Sequence, residues 1–304
     1  MYEMIYWGDV PLHWPLILLC AIGCMSLYAF CARKSLRADV SIRAALTHSM
    51  LSALLGLFLA RAIYAAVCWY DIFLDEMGNF NGLGAFFDPT VGSMNVIGFL
   101  AGLLIAAPVA ARLANTRTAA LLDASAIPAL AMYTLARAIE PLTGQGYGDF
   151  IEMPVDVCWL EAALTLLLIV CLPMIAKKCR KPGALFQYAL TIWCLAQILP
   201  ESLRCDEALF VLVFARVTHL GLAVTLGLIL IRLLAANRKR LSAKGVTLDV
   251  IGLAAGLGLA IGAIFALDKT NWPKPLVYLM MLAAIAELGV LICRRIRWAD
   301  HLET

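Results

Sequence analysis

Three arginines, Arg61, Arg137 and Arg216, interrupt segments that are otherwise apolar: LFLARAIYAAV, MYTLARAIEPL and VLVFARVTHLGL. A guanidinium stays charged at any physiological pH and presents its N–H donors in a planar fork. In hydrocarbon it is costly unless a carboxylate or an anionic ligand meets it. The chemistry that suits such groups is the holding of a phosphate or carboxylate. Glu140, Glu161 and Glu201 are the carboxylates in reach, and Arg204 is a fourth cation. The arginines outnumber these carboxylates, which favours an anion, most simply a lipid phosphate, over ion pairing alone.

The elements that must position these side chains are transmembrane helices. The chain has 304 residues, 63% of them hydrophobic, with a mean hydropathy of +0.87. That composition lies outside the soluble globular class. Apolar stretches of about 20 residues recur, long enough to cross a bilayer core of roughly 30 Å as helices. Porin-type strands are about half as long and alternate in polarity, so a barrel is excluded. The expected fold is an all-α polytopic membrane protein. Nine spans are read at 15–32, 44–68, 92–112, 119–139, 157–176, 183–200, 208–234, 247–267 and 275–293. Residues 1–240 form a seven-span core, and 241–304 add two spans and a basic tail.

The loops alternate in charge. Basic connections carry Arg33/Lys34/Arg37/Arg43, Arg112/Arg117, Lys177/Lys178/Arg180/Lys181, Arg232/Arg238/Lys239/Arg240/Lys244 and Arg294/Arg295/Arg297. Between them lie acidic or mixed connections with Asp71/Asp75/Glu76/Asp88, Glu140/Asp149/Glu152, Glu201/Arg204/Asp206/Glu207 and Asp268/Lys269/Lys274. The positive-inside rule puts the amino terminus outside and the carboxyl terminus inside, as an odd span count requires. All the candidate arginines then face the outer leaflet. The first residues lack the basic stretch of a secretory signal, so the first span is expected to remain in place.

Other polar residues invite plainer readings. Asp123 in LLDASAIP is expected to make a structural contact, His219 to be a packed polar residue, and Glu287 to pair with Arg294 or Arg295. The glycines of GQGYG (144–148) serve either a turn or a loop whose amides approach a headgroup. The ten cysteines and four histidines show no metal-ligand spacing, and neither a metal nor another cofactor is expected. Nothing in the chain suggests nucleic-acid binding. Trp7, Trp14, Trp69, Trp159 and Trp272 fall near span ends, where tryptophan anchors a helix at the interface.

Several of these segments, in order, resemble the bacterial prolipoprotein diacylglyceryl transferases over residues 12–231. His13-Trp14 is similar to the H-W that opens that family's first span. LARAIY is similar to its G-A-R-x-G-Y, with Arg61 and Tyr64 matched. Residues 137–148, RAIEPLTGQGYG, resemble R-x-G-N-F-x-N-G-E-x-[YW]-G through Arg137, Gly144, Tyr147 and Gly148. Here Glu140 stands at the first asparagine, Thr143 at the second and Gln145 at the glutamate. WLEAAL carries Glu161 where the family has Q-L-Y-E, and KPGALF resembles P-G-x-L-F. ESLRCD is close to E-G-L-R-x-D through Glu201, Leu203, Arg204 and Asp206, with Gln197 replacing an arginine four residues earlier. ARVTH resembles R-V-S-Q, with Arg216 matched and His219 at the glutamine. The family's S-F-H-G-G appears as VGSMNVIGFLAG, in which Asn95 occupies the histidine position.

The resemblance implies a multi-pass protein of the bacterial cell membrane. Its reaction would transfer the diacylglyceryl group of phosphatidylglycerol to a lipobox cysteine thiol, in lipoprotein biosynthesis. Phosphatidylglycerol, or another anionic phospholipid, and prolipoprotein lipobox segments are then its partners. Arg61, Tyr64, Arg137, Gly144, Tyr147, Gly148, Glu201, Arg204 and Arg216 would bind substrate, with Glu161 and Asp123 as structural polar residues. The base is the missing piece: Asn95 cannot take a proton near neutral pH, which leaves Glu140 or Glu161, with His219 more remote. A non-catalytic phospholipid-binding relative, or a small-anion transporter, are the alternatives.

Overall fold

The structure, a computed structural model, describes residues 5–7, 10–33, 40–74, 78–80, 82–88, 94–143, 156–204 and 215–301. Its described elements are almost all helical. The long helices are α1 (His13–Arg33), α2 (Ile42–Val67), α4 (Val96–Leu113), α5 (Thr118–Ile139), α6 (Val157–Lys178), α7 (Ala184–Leu203), α8 (Val217–Ala236), α9 (Ala243–Lys269) and α10 (Lys274–His301). A short α3 (Trp69–Phe73) and a 3-10 turn at Leu83–Phe87 lie between α2 and α4, and a second 3-10 turn, Glu140–Thr143, extends α5. Ahead of α1, Tyr6–Trp7 pairs antiparallel with Val10–Pro11.

Eight of these helices are long and apolar enough to cross a membrane: all the long ones except α7. Their outward faces carry large apolar side chains, among them Leu18, Leu54, Leu167, Val170, Leu228, Ile251, Leu279 and Val290. In water such a belt would drive aggregation, whereas lipid accepts it. This is a polytopic membrane protein.

The exception, α7, departs from the expectation of nine equivalent spans. It is long enough at 20 residues but carries Gln187, Gln197 and Glu201. The reason lies in its surroundings. α7 packs against α5, α6, α8 and α10, and most of its residues are buried. A helix shielded by protein does not need lipid-compatible side chains, because its polar groups find partners on its neighbours.

Close backbone approach ties α2 to α4. A Cβ added at Gly98 would collide with the backbone at Leu59–Ala60, and one at Gly102 with that at Leu55–Gly56. Small residues four apart on both helices, Gly56/Ala60 and Gly98/Gly102, create this seam, the usual membrane solution to tight helix pairing. Beside it, Asn95 donates its backbone N–H to the Ala60 carbonyl at 3.2 Å.

At the end of the bundle opposite Arg137, carboxylates tie down the basic loop between α6 and α7. Asp123 of α5 accepts the backbone N–H groups of Gly183 (2.6 Å) and Phe186 (2.8 Å), thereby capping α7 from another helix. Gly183 has φ +91°, a conformation that favours glycine. Asp300 of α10 accepts from Arg180 at 2.9 Å and from Lys181 at 2.6 Å. Asp249 of α9, fully buried, pairs with Arg294 (3.3 Å) and with Arg295. Glu287 was expected to pair with one of these arginines; the α9–α10 packing supplies Asp249 to both instead.

The last two helices pack into the same core. Met281, Leu288, Ile292 and Ile296 of α10 are buried in the main hydrophobic cluster, together with Trp193, Cys194 and Leu195 of α7. Helices α9 and α10 thus share the main hydrophobic cluster with the helices before them.

Candidate functional site

Helix ends bring six charged residues together. Arg137 lies in the last turn of α5, Glu140 opens the turn after it, Glu161 lies one turn into α6, Glu201 and Arg204 close α7, and Arg216 directly precedes α8. Arg137 Nη1 lies 2.6 Å from Glu140 Oε2, and its Nε lies 2.8 Å from Glu161 Oε2. Arg204 bridges the same two carboxylates, with Nη2 2.5 Å from Glu140 Oε1 and Nη1 3.3 Å from Glu161 Oε2. The result is a closed four-membered ring of alternating charges linking three helices. Arg216 extends it by donating to the Arg204 carbonyl and lying 3.7 Å from Glu201.

This balance corrects the expectation that arginines outnumber carboxylates. In the described cluster Arg137, Arg204 and Arg216 stand against Glu140, Glu161 and Glu201, so it is formally neutral. Access is uneven. The Glu161 side chain is fully enclosed, whereas Arg137 and Glu140 keep 16% and 15% of theirs exposed. The exposed part of the ring is its Arg137–Glu140 edge. The hairpin ahead of α1 also reaches this edge, through Ile5 N–H donating to the Leu142 carbonyl at 3.2 Å.

Tyr133 and Gln197 are members that sequence reasoning missed or read only as a departure. The Tyr133 hydroxyl accepts from Arg137 Nε at 3.0 Å and donates to Gln197 Oε1 at 2.7 Å. The Arg137 guanidinium also lies 5.1 Å from the Tyr133 ring centroid. The signal was present: Tyr133 precedes Arg137 by four residues, one helical turn on the same face. Gln197, at the position of a family arginine, supplies a neutral acceptor here, so this chain carries one cation fewer at that point.

Arg61 is engaged by the loop that precedes α4. Its Nε donates to the Phe86 carbonyl at 2.8 Å, and its Nη2 to the Ala85 (3.0 Å) and Asp88 (3.1 Å) carbonyls. The guanidinium thus sits at the carboxyl end of the Leu83–Phe87 turn, where carbonyl dipoles attract a cation. Tyr64 lies 5.8 Å beneath it. These bonds tie Arg61 to the loop before α4.

Asn95 also has a defined task. Its Oδ1 accepts the Ile97 N–H at 2.9 Å and caps α4. A side chain engaged as a helix cap is a structural group. Asp123 caps α7 at the opposite end, as a structural contact. Gly144, Tyr147, Gly148 and Asp206 lie outside the described residues.

His219 sits one turn below Arg216. Its Nε2 lies 3.1 Å from Ser202 Oγ and 3.4 Å from the Ile198 carbonyl. Among the described residues the charged ring contains no histidine; His219 lies against α7 and lines a cavity that α9 also borders.

No family model matches the chain, and a search of curated proteins finds no relative.

Proposed function

We propose that this protein binds the headgroup of an anionic phospholipid at the outer leaflet, and that its Arg137–Glu140–Glu161–Arg204 ring is the receiving site. The observation that carries this reading is the meeting of Arg137, Glu161, Glu201, Arg204 and Arg216, drawn from four motifs spread over about 80 residues, at one end of the bundle. The loop charges support nine crossings with the amino terminus outside, α7 being the enclosed one, in a bacterial cell membrane. Phosphatidylglycerol is the headgroup the resemblance favours.

Since the ring is neutral, an incoming phosphate exchanges with a carboxylate. Glu140 is the one to leave, being partly exposed and in a terminal turn, while Glu161 is enclosed. Phosphate oxygens then take its place between Arg137 and Arg204. A freed Glu140 becomes an available base at the same edge. In the transferase reading it accepts the thiol proton of a lipobox cysteine, and the thiolate attacks the terminal glyceryl carbon of the lipid. The carbon–oxygen bond to phosphate breaks, and glycerol phosphate leaves with the electron pair, held by the arginines. The second reading, a binding protein without turnover, is favoured by Asn95 serving as a cap where the family has its histidine.

Complementation of a strain depleted of its own diacylglyceryl transferase, with mass spectrometry of a lipobox substrate, separates the two. A thioether-linked product that disappears in Glu140→Gln supports transfer. No product, with phosphatidylglycerol binding lost in Arg137→Ala, supports binding alone. Undiminished phosphatidylglycerol binding in Arg137→Ala and in Arg204→Ala overturns both.

A further inference from the structure

Between α2 and α4 the chain runs through α3 and the Leu83–Phe87 turn, and the helices on either side set its depth in the membrane. Helix α4, at 18 residues, is about 27 Å long, close to the roughly 30 Å of a bilayer core. The Asn95 N–H on the Ala60 carbonyl puts the start of α4 level with Ala60 of α2. From Ala60 to Val67 α2 continues for about 10 Å, enough to cross the roughly 5–7 Å polar layer of a leaflet. Arg61 therefore stands at the edge of the hydrocarbon, and Phe58, about 3 Å below Ala60, stands within it.

The connecting segment is pressed down to this level. Arg61, itself buried, donates to the carbonyls of Ala85, Phe86 and Asp88, and the Phe86 ring lies 5.7 Å from that of Phe58. Ile72 and Phe73 of α3 are buried with Ala65 of α2, against Tyr64, Ala85 and Phe86. The same segment leaves Tyr70, Phe80, Leu83 and Phe87 each more than half exposed, and Trp69 nearly half. Phe58 and, one turn below it, Leu54 belong to the belt that α2 turns to lipid. The Phe58–Phe86 contact makes the segment continuous with that belt. Irregular backbone is admitted at this depth only where its polar groups find partners, and Arg61 supplies them to three carbonyls.

We infer that residues 69–74, 78–80 and 82–88 lie in the leaflet that meets the carboxyl end of α2, at the boundary of headgroups and acyl chains. Trp69, Tyr70, Phe80, Leu83 and Phe87 are the side chains that enter lipid, and Arg61 is the positioning residue that fixes the segment at that depth. Tryptophan and tyrosine suit the headgroup layer, and phenylalanine and leucine the chains just below it. Facing water, five such side chains would need a partner protein to cover them. Their continuity with the lipid-facing Phe58 and Leu54 makes the leaflet the cover. This placement stands on residues outside the charged ring and is independent of what that ring binds.

The test places the full-length protein in phosphatidylcholine nanodiscs with one of two photoactivatable phosphatidylcholines, bearing a diazirine either beside the acyl ester or at the chain end. The ester-proximal probe labels peptides covering 69–74 and 82–88, and the chain-end probe labels the stretch around Leu54 in mid-span. Hydroxyl radicals generated in the water leave Tyr70, Leu83 and Phe87 largely unmodified until the protein is unfolded. Arg61→Leu, which takes the donor from the carbonyls, loses the ester-proximal labelling of 82–88 while that around Leu54 stays at the wild-type level. Phe87→Asp, a change at an exposed position that sets a charge at the boundary, does the same without touching the buried contacts. Radical modification of Tyr70, Leu83 and Phe87 in nanodiscs at the level of the unfolded chain, with no lipid adducts on 82–88, overturns the inference and marks a water-facing surface for a protein partner. Wild-type labelling of 82–88 in both Arg61→Leu and Phe87→Asp overturns it as well.

Discussion

Arg204 and Glu161 face each other at 3.3 Å in a place that solvent does not reach on the glutamate side. One Glu161 oxygen serves both Arg204 and Arg137, and the other has no hydrogen-bond partner among the described residues. Such a group does not act as an independent ion pair. Its removal leaves two guanidiniums with a single carboxylate between them.

Glu161→Ala is therefore expected to destabilise the protein by about 3–5 kcal/mol, the cost of breaking a buried charge network by removing one member. Glu161→Gln should cost less, because the amide keeps an oxygen acceptor for Arg137. Thermal unfolding in detergent gives the order wild type, Gln, Ala. A double-mutant cycle with Arg204→Met should return a coupling energy above 1 kcal/mol. Additive effects would show that the ring is not coupled.

The α2–α4 seam makes a sharper steric claim. Gly98→Ala should lower stability by about 1–3 kcal/mol, because the new methyl meets the Ala60 backbone and the helices must part. Gly258→Ala in α9, where a Cβ meets nothing within 4 Å, should be neutral or slightly stabilising. Melting temperatures of the pair decide the matter, and equal values would refute the close approach.

Asn95→Ala removes the α4 cap and is expected to cost about 1 kcal/mol. Any loss of lipid binding or transfer should track that loss of stability and vanish on cooling. A complete loss at unchanged melting temperature would instead make Asn95 a participant in the chemistry.

The carboxyl-terminal pair can be tested by deletion. Removing residues 241–304 uncovers the α7 face that Met281, Leu288 and Ile292 bury, and leaves the Arg180 and Lys181 amides without Asp300. The shortened chain should be degraded or aggregate on extraction, by size-exclusion chromatography. Asp300→Ala alone should cost about 1–3 kcal/mol. A monodisperse, stable seven-span fragment would restore the reading of α9 and α10 as an addition.

Much of the fold was legible because membrane helices announce themselves through length and hydropathy, and loop charge separates one end from the other. Glu140, Glu161, Arg137, Arg204 and Arg216 were legible as site candidates for the same reason: charge is conspicuous against an apolar background. What the sequence concealed was pairing. Nothing local tells Arg61 to seek the carbonyls of residues 85–88, or Asp249 rather than Glu287 to meet Arg294. Those choices depend on which helices become neighbours. Tyr133 escaped notice, and Gln197 was read only as a departure, because uncharged polar residues in a span resemble packing until their partners are seen.

The enclosed α7 has a consequence for biogenesis. A helix with Gln187, Gln197 and Glu201 along its length partitions into the bilayer weakly when presented alone to the insertion machinery. It must wait beside α6 or α8 in a protected setting, or enter with one of them as a hairpin. The central element of the mature bundle is thus the one least able to arrive by itself. The order in which neighbouring helices leave the ribosome becomes part of how the charged ring at its far end is put together.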